Sequence, residues 1–332
     1  MALNFLEQQR SNRRRTWAVM IAFVGLALVV GLGFDLFIFT DPESGVMLPI
    51  GTFGAFAVSS ASAATSYFVG DRAVLRSTKA VPLETALASA DDAYRLKLTQ
   101  LGNVVDEMAI ASGLPAPKVF VVPDPDANAF ATGRDPEHAS IAVTEGLLLA
   151  LNREQLQGVV AHEMAHVRNY DIRLMTVIAA LVGALALLSD WAGRMGHLAG
   201  SGGGRSRSRS SDRDGGSGAA GAIFVVVWLL LILVAPFLGR LLAMAVSRQR
   251  EYLADASAAE LTRNPGALAD ALETIEGMTG ATKLVHQGSA HLCIADPLER
   301  KLDNKEGWVA DWLATHPPMA KRVSLLRGMS YR

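Results

Sequence analysis

Two apolar stretches close together near the N-terminus, Trp17–Phe39 and Val46–Val69, limit the possible folds of this chain more than any other feature. Each exceeds the roughly 20 residues that carry an α-helix across the hydrocarbon core of a bilayer. In lipid, backbone polar groups must be satisfied within the segment, so such stretches are expected to be helices. The first has Asp35 near its far end, where a carboxylate reaches the headgroups; the second is rich in Gly, Ala and Ser, as in spans that pack closely on another helix. The first has the length of a signal sequence, but it lacks a small-residue cleavage site and a second stretch follows at once, so it reads as a retained anchor. Composition agrees: 50% of residues are hydrophobic, 19% are charged, and the mean hydropathy is +0.26.

Two further candidates follow. Leu174–Trp191 is shorter, and a buried helix of a soluble body is the alternative reading for it, whereas Gly221–Gly239 is strongly apolar. Charge sets the expected orientation. Arg10, Arg13, Arg14 and Arg15 precede the first stretch, while Thr40–Gly45 carries Asp41 and Glu43 with no Lys or Arg, which puts the N-terminus and the chain after Val69 in the cytoplasm. If both later stretches cross, the loop Ala192–Ala220 lies outside despite Arg194, Arg205, Arg207, Arg209 and Arg213; a shallow hairpin would keep it inside. The Gly-rich and Arg-Ser run in that loop reads as disordered. Both arrangements return the chain to the cytoplasm. The net charge of −1 gives no reason to expect a nucleic-acid partner, and the single cysteine, Cys293, excludes an internal disulfide or a zinc site of several cysteines.

The chemistry is concentrated in His162-Glu163-Met164-Ala165-His166. On a helix, residues four apart share a face, so the two imidazoles can bind one Zn²⁺ with the glutamate beside the open coordination position. The surroundings predict a helix. Asn152 is a natural N-cap with Gln155 three residues on, an apolar stripe runs through Leu156, Val159, Val160, Met164 and Val167, and no proline interrupts Asn152–Ala192. Upstream, Leu98, Leu101, Val105, Met108 and Ser112 mark a helix face ending at Gly113. Lys118–Val122 reads as a strand, and strands near Ala127–Gly133 and His138–Val143 flank the turn-like Arg134–Glu137, forming a hairpin. Such a strand can be purely structural or can pair with an extended polypeptide.

A catalytic zinc needs a third protein ligand, and no histidine follows the pentad at the metzincin spacing. The best candidate is Glu251 in Ser247–Asp255, with Asp255 one turn on, placed to orient a ligand histidine; a solvated Arg/Glu helix is the plainer alternative. Arg153, Glu154, Arg168, Asn169, Asp171 and Arg173 bracket the pentad with groups costly to bury in lipid, which argues against a site inside a span. Counted at about 1.5 Å per helical residue, His166 and Glu251 lie roughly 10 Å from apolar segments, so the site is expected near the cytoplasmic membrane surface.

The chain resembles the HtpX group of membrane zinc metalloproteases, relatives of the CAAX-prenyl proteases. The resemblance is carried in order by Asn128-Ala129-Phe130-Ala131-Thr132-Gly133, His162–His166, Ser247–Ala256, and Thr315-His316-Pro317-Pro318 with Arg322. It implies an α+β fold: a mainly helical gluzincin protease domain with a small β-sheet or hairpin, plus about four transmembrane helices. It further implies that His162, His166 and Glu251 hold one Zn²⁺ and that Glu163 is the general base. Asp255 would support the ligands, His316 and Arg322 would line the cleft, and Asn128–Gly133 would be the substrate-pairing strand. His316 is assigned to the oxyanion.

The organisation expected is a basic N-terminus (1–16), a two-span anchor (17–69), and the first half of a cytoplasmic domain (70–172). The later apolar segments with the 192–220 loop (173–246) and the second half of the domain (247–332) follow. Membrane-protein or unfolded polypeptide substrates, the bilayer and other membrane quality-control proteases are the implied partners, at a bacterial cytoplasmic membrane. The competing readings are an intramembrane-cleaving metalloprotease and a non-enzymatic, zinc-stabilised membrane adaptor. His138, His197, His286 and His291 receive no role.

Overall fold

The computed structural model describes residues 5–38, 44, 46–185, 248–278, 292–294 and 317–330. The fourth apolar stretch, the Arg-Ser loop, His197, His286, His291 and His316 lie outside the described residues. Contacts divide the chain into two units, one of residues 1–16, 66–180 and 242–332 and the other of 17–65 and 181–241.

Helix α1 (Phe5–Ile38) and helix α2 (Ile50–Ser77) occupy the two N-terminal apolar stretches. Among the described residues, one helix is long and apolar enough to cross a membrane, at Glu7–Gly33 within α1. Of the expected spans it is the one found among the described residues; the fourth stretch and the end of the third lie outside them. Asp35 departs from expectation. It is buried and accepts hydrogen bonds from the Gly51 and Thr52 amides at 2.5 and 2.8 Å and from the Thr52 hydroxyl at 2.6 Å. Unpaired amides at the start of α2 offer a carboxylate more than a distant headgroup does.

The larger unit is built on a four-stranded mixed sheet of order β1-β2-β4-β3, with β1 at Val81–Pro82, β2 at Lys118–Val122, β3 at Ala129–Thr132 and β4 at Ser140–Thr144. β2 and β4 run parallel, and β3 pairs antiparallel with β4, Phe130 facing Ala142. This is the expected hairpin, with Pro136–His138 turning as a short 3₁₀ segment. The described helices of this unit are α3 (Leu83–Ser89), α4 (Asp92–Ser112), α5 (Glu145–Ala150), α6 (Arg153–Arg168), α7 (171–185, whose residues from 181 on belong to the other unit), α8 (Arg248–Thr262), α9 (Pro265–Gly277) and α10 (Met319–Ser330). α4 ends where the sequence places its stop, at Gly113 in the left-handed conformation (φ 68°).

The core gathers the apolar face of α4 (Leu98, Leu101, Val105, Met108), the inner residues of β4 and the stripe of α6. α6 is its central rod, packed by α4, α8, α9 and β3. α9 comes so close that a Cβ on Gly158 would sit 3.0 Å from the Leu268 Cα, which is why glycine occupies that turn of α6.

The proline-free run from Asn152 is not one helix. α6 stops at Arg168, Asn169 and Tyr170 form a turn, and helix resumes at residue 171. Tyr170 adopts φ 59°, a conformation rare for a residue with a side chain. The cause is tertiary: side-chain amides from α1 take up the last carbonyls of α6, so the ladder need not continue. The helical ruler drawn from His166 to the third apolar stretch therefore bends at this turn. The described part of that stretch is helical, and Leu174, Val177 and Ile178 are buried.

Candidate metal centre

α6 holds the pentad rigidly. Its start is fixed by a complete capping box: the Asn152 side chain accepts from the Gln155 amide at 2.9 Å, and the Gln155 side chain accepts from the Asn152 amide at 3.0 Å. Val159, Val160, Met164 and Val167 are fully buried, so the faces left to His162, Glu163 and His166 are dictated by the core.

Three donors converge. His162 Nε2 and His166 Nε2 lie 3.2 Å apart, and each lies 3.6 Å from a different carboxylate oxygen of Glu251, on α8. Two ligands bound tetrahedrally at about 2.0–2.1 Å are roughly 3.3 Å apart, so the triangle has the size of one face of a zinc coordination sphere. Glu163 supplies a second sign of fit. It is buried, and its Oε2 has no hydrogen-bond partner among the described residues. A buried carboxylate oxygen left so costs more than about 1–3 kcal/mol, unless a water or a bound group meets it in the working state. Burial pushes the Glu163 carboxyl above its ordinary value, against the lowering influence of the nearby His162 and His166.

Each histidine is braced from behind. His162 Nδ1 meets Asp255 Oδ1 at 2.9 Å, and His166 Nδ1 meets Asp171 Oδ2 at 3.0 Å. Donation of each Nδ1–H to a carboxylate leaves the Nε2 lone pairs aimed at the donor triangle. Arg322, on α10, is fully buried and grips Asp255 with two bonds, Nε to Oδ2 at 2.8 Å and Nη2 to Oδ1 at 2.7 Å. Burial alone would raise the Asp255 carboxyl; the Arg322 guanidinium reverses this and holds it below the ordinary range. Burial likewise opposes charge on His162, but Asp255 and Glu251 outweigh it and push its pKa up to about 9 without metal. A divalent ion would displace that proton.

Every described residue singled out from the sequence for metal binding or its support lies in this cluster, while His316 lies outside the described residues. Asn128–Gly133 forms edge strand β3 and its flanks, buried throughout. Its outer edge is not bare. Phe130 bridges Cys293 in antiparallel fashion, the Ile294 amide donates to the Ala129 carbonyl at 3.0 Å, and the Ile294 carbonyl accepts from Arg322 Nη1 at 3.1 Å. Sequence reading missed segment 292–294 and the role of Asp171, which it used only as a polar bracket. Its one sequence signal is a carboxylate five residues after a candidate ligand histidine, which is weak. His138 sits on the 3₁₀ turn, paired with Asp135 and remote in chemistry from the cluster.

Comparison with known proteins places these features in a family. The model of peptidase family M48 matches residues 95–330. The chain is similar to a "Protease HtpX homolog" of Streptococcus gordonii, 38% identical over 323 residues, 97% of this chain and 99% of the relative. It is also similar to one of Lactiplantibacillus plantarum, 41% identical over 326 residues with the same coverage. The crystal structure of S. mikatae Ste24p aligns with 97% of this chain and 67% of its own at 18% identity and a TM-score of 0.47.

Proposed function

The chain belongs to peptidase family M48 and is by that membership a metal-dependent protease; from that premise we propose that it is a membrane-anchored zinc endopeptidase cleaving misfolded or damaged membrane proteins at the cytoplasmic face of a bacterial membrane. The observation that carries the zinc reading is the His162–His166–Glu251 triangle, whose two imidazoles and carboxylate match the donor set that a catalytic zinc would use. Bound there, zinc supplies a Lewis acid that polarises the scissile carbonyl and brings the pKa of a water down to about 7.

The protein's own groups do the rest. Glu163, buried with a free oxygen and a raised carboxyl, takes the proton of the attacking water and hands it to the leaving amine. Asp255 and Asp171 hold the imidazoles in the tautomer that ligates. His316 donates to the carbonyl oxygen as charge develops. An extended substrate pairs with the outer edge of Asn128–Gly133, in the place that 292–294 occupies, so that segment gives way when substrate enters.

The membrane assignment is supported by Glu7–Gly33 and by large apolar side chains that the protein leaves uncovered, including Ile21 at 68% and Phe53 at 69% exposure. The cytoplasmic orientation, the two-span anchor and the division of the protease domain at 70–172 and 247–332 rest on the charge and hydropathy pattern. The expected partners remain polypeptide substrates, lipid and other membrane quality-control proteases.

Metal analysis of the purified protein, followed by proteolysis of a detergent-solubilised membrane protein with and without chelator, tests the proposal. One zinc per chain and chelator-sensitive cleavage are expected. Glu163→Gln should keep the zinc and lose cleavage; appreciable proteolysis by the zinc-loaded variant would sink the general-base assignment.

A further inference from the structure

One face of α1 reaches the metal centre from behind. Gln9, Asn12 and Arg13 have the spacing of a single helix face, and all three meet the turn that closes α6. Gln9 Nε2 donates to the Arg168 carbonyl at 2.8 Å, and Asn12 Nδ2 donates to the Asn169 carbonyl at 2.9 Å. The Arg13 guanidinium lies 4.3 Å from the Tyr170 ring centroid. These contacts fall on carbonyls that a helix end leaves without partners and on a tyrosine in a left-handed conformation, which persists only where its surroundings hold it.

Asn12 does more than cap. It is fully buried, and the same Nδ2 donates to Asp171 Oδ1 at 2.6 Å, while Asp171 Oδ2 faces His166 Nδ1 at 3.0 Å. Arg250 also faces Asp171, with Nη1 3.7 Å from Oδ1. A carboxylate that accepts on one oxygen from a fixed amide can present the other in only one direction. We infer that Asn12 is a positioning residue of the metal centre, holding Asp171 so that Asp171 aims His166. The base of the N-terminal apolar helix is thereby a working part of the zinc site and not only an anchor.

The inference rests on the zinc reading above, and one experiment separates their failures. Full-length protein in detergent is titrated with zinc against a competing chelator, and the absorption spectrum of its cobalt form is recorded. Asn12→Ala is expected to weaken zinc binding roughly 3- to 10-fold and to shift the cobalt spectrum, and Asp171→Ala to weaken binding about 10- to 100-fold. With Asp171→Ala already in place, Asn12→Ala should weaken binding by less than it does alone, because the amide then keeps only its bond to the Asn169 carbonyl. Should Asn12→Ala not fold, Asn12→Ser, a shorter side chain that still carries a donor, takes its place, with the same loss of effect expected when Asp171→Ala is added. Wild-type affinity in the Asn12 variant, or independent multiplication of the Asn12 and Asp171 effects, would overturn the inference. Absence of zinc binding in the parent protein would overturn the zinc reading itself, and this inference with it.

Discussion

The two histidines of the metal helix are supported by different means. Behind His162 stands a buried ion pair, Asp255 gripped twice by Arg322, with partners drawn from α8 and α10. Behind His166 stands Asp171, five residues along the same stretch of chain, held by a neutral amide from α1 at 2.6 Å and faced by the buried Arg250 at 3.7 Å. The first support is a closed electrostatic unit, the second a tertiary clasp on a turn that would not form by itself. The same task, fixing an imidazole so that Nε2 ligates, is thus met once by a two-point charge pair in the interior and once by docking the N-terminal helix beside a looser pair with Arg250.

The largest effect should come from breaking the charged support. Arg322→Met removes the cation that grips Asp255 twice and leaves the buried carboxylate only the protonated His162; breaking such a buried pair typically costs about 3–5 kcal/mol, and the remaining partner puts the loss at the lower end. We expect the metal-free chain to lose that much stability in denaturant titrations and zinc binding to fail with it. Asp171→Asn on the other side should cost less stability, since Arg250 stands 3.7 Å off and is not gripped at two points, and should weaken zinc roughly 10- to 100-fold. Equal loss of stability in the two variants would erase the contrast between the supports.

The pH response sharpens the same contrast. In the unfolded chain His162 titrates near 6.5; folded and metal-free, it holds its proton up to about 9, burial being outweighed by Asp255 and Glu251. A pKa raised on folding contributes stability that is complete below about pH 6.5 and is lost as pH rises through about 9. The metal-free protein should therefore melt at falling Tm across that window. Over the same interval zinc binding should tighten by up to about tenfold per pH unit, because the metal displaces that proton. Asp255→Asn should move the window downward, whereas Asp171→Asn should leave it in place. A Tm that rises between pH 6.5 and 9 would contradict the assignment of the proton to His162.

How far this centre was legible in the sequence follows the same division. The His162 side uses residues at short helical spacings inside motifs, His162 with His166 and Glu251 with Asp255, and periodicity alone puts such pairs on one face. The strand at Lys118–Val122 and the helix stop at Gly113 were legible for the same local reasons. The His166 side depends on a break at Asn169–Tyr170 with no proline or glycine to announce it, enforced by residues more than 150 positions away. Segment 292–294 pairs with β3 through backbone atoms, which carry no side-chain signature. Asp35 misled because a capped helix start and a headgroup contact require the same residue at the same place.

The smallest expected effect concerns which side of the centre receives substrate. Segment 292–294 touches both β3 and the charged support of His162, since the Ile294 amide is bonded to Ala129 and its carbonyl to Arg322. If an incoming strand takes the same edge, the bond from Ile294 opposes binding by the net worth of one backbone hydrogen bond, about 0.5–1.5 kcal/mol. Ile294→Pro removes that donor and keeps the carbonyl that Arg322 uses. Cleavage of a short peptide should then rise about 2- to 12-fold at subsaturating substrate, with zinc content unchanged. Unchanged or reduced cleavage at full zinc occupancy would show that 292–294 supports the His162 side and does not cover the pairing edge. Substrate would then have to be sought elsewhere around the triangle.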